Sequence, residues 1–350
     1  MAGRPGLLSY SVTIMKKTPS IWLHRFAVVT SVATFFLVIA GGLVTSTDSG
    51  LSVPDWPLSY GQFMPPMVGG IFYEHGHRMV ATFVGMLTTI LALWLWRSEE
   101  RKWVKVLGLA ALLAVITQGV LGGLTVLFLL PTWISVSHAT LAQAFFSLTI
   151  VIALVTSPFW RSHKPTELPD VRRTRILAVA TSAVVLLQLV LGALMRHTQS
   201  GLAIPDFPLV YGHLLPPFDS GSLPAINQYR IGWDMAPVTM SQIWIHFAHR
   251  VGALLVTVIL LMNVSHVLTT YRDSKLREPA LLLLSFFVVQ ILLGALTVWT
   301  GKGVEIATAH VAVGALVLGL SVVVSVRSFQ LYKLPEEAFE TAYVPQPSHS

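Results

Sequence analysis

Eight long apolar runs, separated by short polar or proline-rich segments, dominate the chain. They lie at about Phe26–Leu43, Phe72–Trp96, Val106–Phe128, Trp133–Val155, Ile176–Met195, Ile243–Leu268, Ala280–Thr300 and Val304–Val326. Each approaches the roughly 20 residues that a helix needs to cross a bilayer. The pattern predicts an all-α polytopic membrane protein with eight transmembrane helices. A lead at 1–24 precedes two groups of four spans, 25–158 and 176–328, which a basic linker at 159–175 joins; a tail follows at 329–350. Between the first two runs the proline clusters Pro54/Pro57 and Pro65/Pro66 forbid a long helix and predict a lid of turns.

The chain repeats itself. Gly41, Ser49, Gly50, Leu51, Pro54, Asp55, Pro57, Tyr60, Gly61, Pro65 and Pro66 each meet an identical residue 151 positions on, at Gly192, Ser200, Gly201, Leu202, Pro205, Asp206, Pro208, Tyr211, Gly212, Pro216 and Pro217. From the second span onward the offset is 172, which relates His77/Arg78 to His249/Arg250, Gln118 to Gln290, Leu121/Gly122 to Leu293/Gly294, Thr125 to Thr297 and His138 to His310. The change of offset places a 21-residue insertion in the second outer loop, between about Phe218 and Met240, with a docking surface or a longer lid as its candidate roles. An even number of spans per unit makes the repeat parallel, about an axis along the membrane normal. Two pseudo-symmetric four-helix bundles side by side are the expected architecture.

Composition agrees with the pattern: of 350 residues, 54% are hydrophobic and only 11% charged, against about 25% charged in soluble domains. The net charge of +7 might suggest a nucleic-acid partner, but its distribution says otherwise. Lys and Arg gather in the lead (Arg4, Lys16, Lys17, Arg25), in the alternate loops (Arg101/Lys102/Lys105, Arg161/Lys164/Arg172/Arg173/Arg175, Arg272/Lys275/Arg277) and after the last span (Arg327, Lys333). The other connections hold only Arg196, Arg230 and Lys302. This is the positive-inside bias, with both termini cytoplasmic or matrix-side and the long loops outside. The lead is basic but shows no clear small-residue cleavage site, so the first span reads as retained. The chain has no cysteine, which excludes disulfides, thiolate metal sites and a Cys nucleophile.

Four histidines fall inside predicted spans at repeat-related positions: His77, His138, His249 and His310. Each lies five or six residues past the outer start of its span, roughly 8 Å below the interface at ~1.5 Å per residue. His77 can face His138 across one bundle, and His249 can face His310 across the other. Paired imidazoles at one depth suit axial ligation of haem iron; interhelical hydrogen bonding is the alternative. A zinc or copper site fits less well, with no thiolate and two histidines per bundle.

The halves differ beside the histidines. Glu74 lies one turn before His77 on the same helix face, whereas His246 holds that place before His249. Glu74 can serve as a proton acceptor, or be an ordinary solvated carboxylate at a helix start. His75 points about 200° away from His77. Arg78 and Arg250 can pair with haem propionates or simply snorkel outward. Asp55 and Asp206 read as turn-formers, Gln118 and Gln290 as interhelical hydrogen-bonders. Trp56, Tyr60, Phe207 and Tyr211 read as covers for an apolar ligand or as interfacial anchors. His24, His163, His197, His213, His266 and His349 read as solvent-facing.

The run Glu74-His75-Gly76-His77-Arg78, the SGLSVPDWPLSYG loop, His138, the later HFAHR and His310 together resemble the heme A synthase family, over nearly the whole chain. The resemblance implies oxidation of the C8 methyl group of haem O to a formyl group by successive hydroxylations, giving haem A for cytochrome oxidase. It implies a substrate haem held by His77 and His138 with Glu74 as acid/base, and a permanent haem b cofactor held by His249 and His310. It also implies a bacterial cytoplasmic membrane location amid lipid, and an electron donor that the sequence does not specify. Haem O synthase and oxidase assembly factors become candidate partners, and a homo-oligomer a candidate state. Many bacterial members carry a cysteine pair in the first outer loop; this chain departs from them, so any thiol step is excluded.

Two other classes compete. A di-haem electron carrier would need the four histidines but not a carboxylate in one half only. A transporter would need charged residues through the inner halves of the spans, and those are apolar.

Overall fold

A computed structural model describes residues 21–168, 170–215, 221–271 and 275–335. The chain runs α1 (Ile21–Ser46), α2 (Gly69–Ser98), α3 (Lys102–Leu127), α4 (Thr132–Thr156), a short α5 (Pro158–Ser162), strand β1 (Thr166–Glu167), α6 (Val171–His197), α7 (Ser222–Gly232), α8 (Met240–Thr270), α9 (Arg277–Trp299), α10 (Val304–Leu331) and β2 (Tyr332–Lys333). Among the described residues, eight helices are long and apolar enough to span a membrane. They are the eight predicted spans, each extended at one end or both beyond the apolar run. Part of the lead, at 1–20, and most of the tail, at 336–350, lie outside the described residues, as do Arg272 and His349. The expected tail boundary at 329 falls inside α10, and the linker at 159–175 holds α5, β1 and the start of α6.

Packing closes two rings of four. Helices α1, α2, α3 and α4 touch in cyclic order, and so do α6, α8, α9 and α10; α1 and α4 then meet α10, and α4 meets α6. Apolar side chains surround these helices: Phe36, Leu113, Leu254 and Leu292 are exposed outward, while Leu91, Ile152, Leu260 and Leu318 fill the interiors. Lipid removes the usual hydrophobic drive between helices, so contacts rely on small and hydroxylated residues. Ser31 meets Thr149 between α1 and α4, and Ser182 meets Ser325 between α6 and α10. At Gly319 a Cβ would stand 2.8 Å from Ile150, which is how closely α10 approaches α4. At the lid end Arg196 of α6 donates to Gly42 O (3.2 Å) and Ser46 Oγ (2.7 Å) of α1, and Thr308 of α10 donates to the same Ser46 oxygen at 3.0 Å.

The backbone keeps step in the two halves. Left-handed φ recurs at Asp48 and Gln199, at Tyr60 and Tyr211, and at Leu129/Leu130 and Gly301/Lys302, all pairs related by the sequence offsets. The 21-residue insertion is folded in part as α7, and its start, with Pro216 and Pro217, lies outside the described residues.

Several histidines expected in solvent are covered instead. His266 is buried and bonds Thr174 Oγ1 through Nε2 at 2.9 Å, because the last turns of α8 pack against the start of α6. His24 reaches Ala153 O through Nδ1 at 2.9 Å, and His163 and His197 are half-buried. His213 is exposed.

At the basic end of the first bundle, Glu99 is only 2% exposed and caps a charged corner. Arg101 contacts its carboxylate at 2.8 Å and Arg161 of α5 at 2.6 Å, while Arg101 also donates to Val155 O of α4. Burial alone would raise the Glu99 pKa, but the Arg101 hydrogen bonds and the two guanidinium charges together bring it down to about 2. The contribution to stability is therefore fully present above the ordinary glutamate range and lost as pH falls towards about 2. Glu99→Gln should lower stability by about 1–3 kcal/mol near neutral pH, discounted because both arginines are partly exposed. Thermal-shift curves of wild type and variant should converge as the pH is lowered through that window. A constant gap at every pH would contradict this account of the corner.

Candidate functional site

Each intramembrane histidine packs against a glycine of the preceding spanning helix. A Cβ at Gly41 of α1 would lie 3.2 Å from His77 Cε1, at Gly122 of α3 3.3 Å from His138, at Gly192 of α6 3.2 Å from His249 and at Gly294 of α9 3.2 Å from His310. Those spacings are tighter than side-chain packing normally allows, so glycine is what lets the imidazoles turn inward between helices. His77 and His138 lie within electrostatic reach of each other, as do His249 and His310. Nδ1 of His77, His138 and His310 is buried without a hydrogen-bond partner among the described residues. Gln118 donates to His138 O at 3.0 Å, and the Gln290 amide nitrogen lies 3.4 Å from His310 Nε2.

The first lid, between α1 and α2, is tied down by the opening turns of α2. The Val53 N–H donates to Glu74 Oε2 at 2.8 Å, and Ser59 Oγ shares a hydrogen bond with His75 Nδ1 at 2.8 Å. Arg78 reaches back towards the loop and donates to Asp55 O (2.8 Å), Leu58 O (2.9 Å) and Val53 O (3.3 Å), with an ion pair to Glu74 at 2.6 Å. Glu74 is 4% exposed, so it is a buried and paired carboxylate, not a solvated one at a helix start. Asp55 closes the loop by accepting from Tyr60 N (2.6 Å) and Gly61 N (2.8 Å). The Gly61 N–H has the largest effect on the Asp55 carboxyl. With Tyr60 it outweighs desolvation and holds that group below the usual carboxylate range.

The second lid repeats this scheme with one exchange. Asp206 accepts from Tyr211 N (2.8 Å) and Gly212 N (2.9 Å), and Arg250 donates to Leu209 O (2.8 Å), Asp206 O (2.7 Å) and Ile204 O (3.2 Å). The N–H of Ile204, the counterpart of Val53, donates to His246 Nδ1 at 3.2 Å. One lid amide is therefore received by Glu74 in the first half and by His246 in the second. Among the described residues, only the first of these two arginines makes a direct ion pair with a carboxylate, that of Glu74. The roles of His75 and His246, open in the sequence, are lid attachments.

The lids also differ above the bilayer. Arg230 of α7, 4% exposed, donates to Ala236 O (2.7 Å) and Leu202 O (2.9 Å) and so braces the second lid from its insertion. In the first lid Trp56 rests against Gly123 of α3; Phe63 and Met64 at its tip are exposed, as are their counterparts Leu214 and Leu215 in the second. Phe207 of the second lid stacks edge-on to Trp299 of α9 with ring centroids 6.0 Å apart.

Sequence reading missed Gln188 of α6. Its amide nitrogen lies 2.8 Å from His249 O and 3.1 Å from His249 Nδ1. The available signal was a polar residue in an apolar span whose repeat counterpart, Leu37, is apolar.

Among the described residues no group of three or more His, Asp or Glu side chains could hold a metal ion by itself. Two buried histidines per bundle, with Nδ1 of His77, His138 and His310 unpartnered among the described residues, instead suit a porphyrin, whose own four nitrogens supply the rest of the iron's ligands.

Comparison with known proteins agrees with this geometry. Residues 24–70 and 68–322 match the family model described as Cytochrome oxidase assembly protein. The chain is similar to the Heme A synthase of Halalkalibacterium halodurans, 30% identical over 302 residues that cover 82% of this chain and 92% of that protein. It is 25% identical to the Heme A synthase of Lysinibacillus sphaericus over 303 residues, 85% of this chain and 92% of the relative. To the Heme A synthase of a Chelativorans species it is 28% identical over 343 residues, 86% and 89% of the two chains. The chain thus belongs to the cytochrome oxidase assembly protein family, among the relatives that carry the name heme A synthase.

Proposed function

We propose that this protein oxidises the C8 methyl group of haem O to a formyl group by successive hydroxylations, producing haem A for cytochrome oxidase. The observation that carries the reading is the exchange at one lid amide, Val53 to Glu74 in the first half and Ile204 to His246 in the second. It leaves two histidine pairs alike in their glycine packing but only one of them beside a carboxylate. A site that converts substrate and a site that only relays electrons would differ in this way.

In this reading His77 and His138 hold the substrate haem in the first bundle, and His249 and His310 hold a resident haem b in the second. Haem b, when bound, supplies one-electron redox chemistry. The chain's own residues do the rest. Turning a methyl into a formyl group removes four electrons and sheds protons, and Glu74 receives a proton beside the reacting edge. Arg78, paired to Glu74 at 2.6 Å, holds that carboxylate in place and ties the proton acceptor to the lid. Closing the lid excludes bulk water from the pair, which strengthens the electrostatic interactions within. Arg78 and Arg250 are the candidate partners for haem propionates, exchanging lid carbonyls for carboxylates when haem is present. The first lid, which lacks the Arg230 brace, is the entry for an apolar substrate, and the second lid, braced by Arg230, covers the resident group. The basic loops support an orientation with both termini on the cytoplasmic side, in a bacterial inner membrane, with haem O synthase and oxidase assembly factors as the proposed neighbours.

Two predictions test the division. Glu74→Gln keeps an oxygen to accept the Val53 N–H but removes the charge. Haem content should stay near wild type while conversion of haem O falls by about 100-fold or more. Near-normal conversion would reduce Glu74 to a lid anchor. Separately, His249→Ala and His310→Ala should each deplete a co-purifying b-type haem, read from pyridine haemochrome spectra; full haem b content in both variants would contradict the assignment of the second bundle.

A further inference from the structure

The two bundles differ at one more pair of positions. In α6, Gln188 lies one turn before Gly192, and its amide nitrogen approaches His249 at three atoms: the carbonyl at 2.8 Å, Nδ1 at 3.1 Å and Nε2 at 3.3 Å. Its Oε1 is buried with no partner among the described residues. That oxygen occupies a notch made by Gly252 of α8, where any Cβ would collide with it. The repeat relates Gln188 to Leu37 and Gly252 to Val80. Leu37 and Val80 pack instead into the apolar core of the first bundle. Polar residue and notch are thus present together in the second half and absent together in the first. His77 Nδ1 is left without a partner.

We propose that Gln188, in the berth supplied by Gly252, is a positioning residue that makes the second bundle the haem-retaining site. The inference rests on the functional reading above, in which His249 ligates a resident haem. An imidazole bound to iron through Nε2 must carry its proton on Nδ1, and a buried N–H needs an acceptor. Gln188 brings the unpartnered amide oxygen for that role, since rotation about its broad terminal torsion carries Oε1 to Nδ1. The amide nitrogen gives up only the His249 carbonyl, which the helix ladder already satisfies. The bond fixes the ring's tautomer and orientation, raises its basicity and favours oxidised iron. The first site, with leucine and valine at these places, holds its haem less firmly, as suits a group that must arrive as substrate and leave as product.

The test uses purified holoprotein carrying its b-type haem, with apomyoglobin as a haem scavenger and redox titration as a second readout. Gln188→Leu should speed transfer of haem b to the scavenger by roughly 10–100-fold, the usual cost of removing such a partner, and should move the midpoint potential upward. Gln188→Glu keeps an acceptor oxygen, so it should retain haem and move the potential downward. The double variant Gln188→Leu/Gly252→Val copies the first bundle's packing and should behave like Gln188→Leu even if the single variant folds poorly. Transfer rate and potential unchanged in both leucine variants would overturn the proposal. Failure of the underlying reading looks different: wild-type protein would carry no b-type haem, or His249→Ala would keep it in full.

Discussion

The contact between each intramembrane imidazole and a glycine on the neighbouring helix is the constraint around which this molecule is built. A spanning helix has no water to satisfy a polar side chain, so a histidine at that depth must be enclosed by protein. Enclosing an aromatic ring between helices requires one backbone to come close, and only glycine permits a gap near 3.2 Å between ring and Cβ position. Gly41, Gly122, Gly192 and Gly294 provide that approach on α1, α3, α6 and α9. In each bundle the pairing brings α1 to α2 and α3 to α4, or α6 to α8 and α9 to α10, and these are also helices in direct contact. The rings of helices close around the histidines.

On this frame duplication has allowed specialisation by few exchanges. The same lid geometry, with an arginine on three carbonyls and an aspartate on two amides, stands over both pairs. Replacing Glu74 by His246 removes the negative charge from one side while keeping an acceptor for the lid amide. Replacing Leu37 and Val80 by Gln188 and Gly252 adds a polar neighbour to one ligand. Inserting α7 braces one lid through Arg230, while the apolar tips stay exposed in both, at Phe63 and Met64 and at Leu214 and Leu215. In the proposed reading, each exchange suits the first bundle to turnover and the second to retention.

Much of this was legible in the chain. Eight apolar runs identify the spans, and two constant offsets identify His77, His138, His249 and His310 as repeat-related, because both signals are local or self-referential. What hid was set by contacts between segments far apart. Arg78 and Arg250 were readable as cations near an interface, but not as donors to lid carbonyls twenty or more residues upstream. Glu74 looked able to face solvent until the lid folded over it. His266 sat at the edge of an apolar run, and only the packing of α6 against the end of α8 put it inside. Gln188 hid because a single glutamine in an apolar helix has no periodic signature; its meaning lies in the contrast with Leu37.

The central claim, that one bundle converts haem and the other keeps it, is tested most directly by mass analysis of the haems extracted from protein expressed beside a source of haem O. The account predicts haem B together with haem O, a hydroxylated intermediate or haem A in the same preparation. Haem B alone, with no conversion when haem O is supplied, would make the molecule an electron carrier and contradict it.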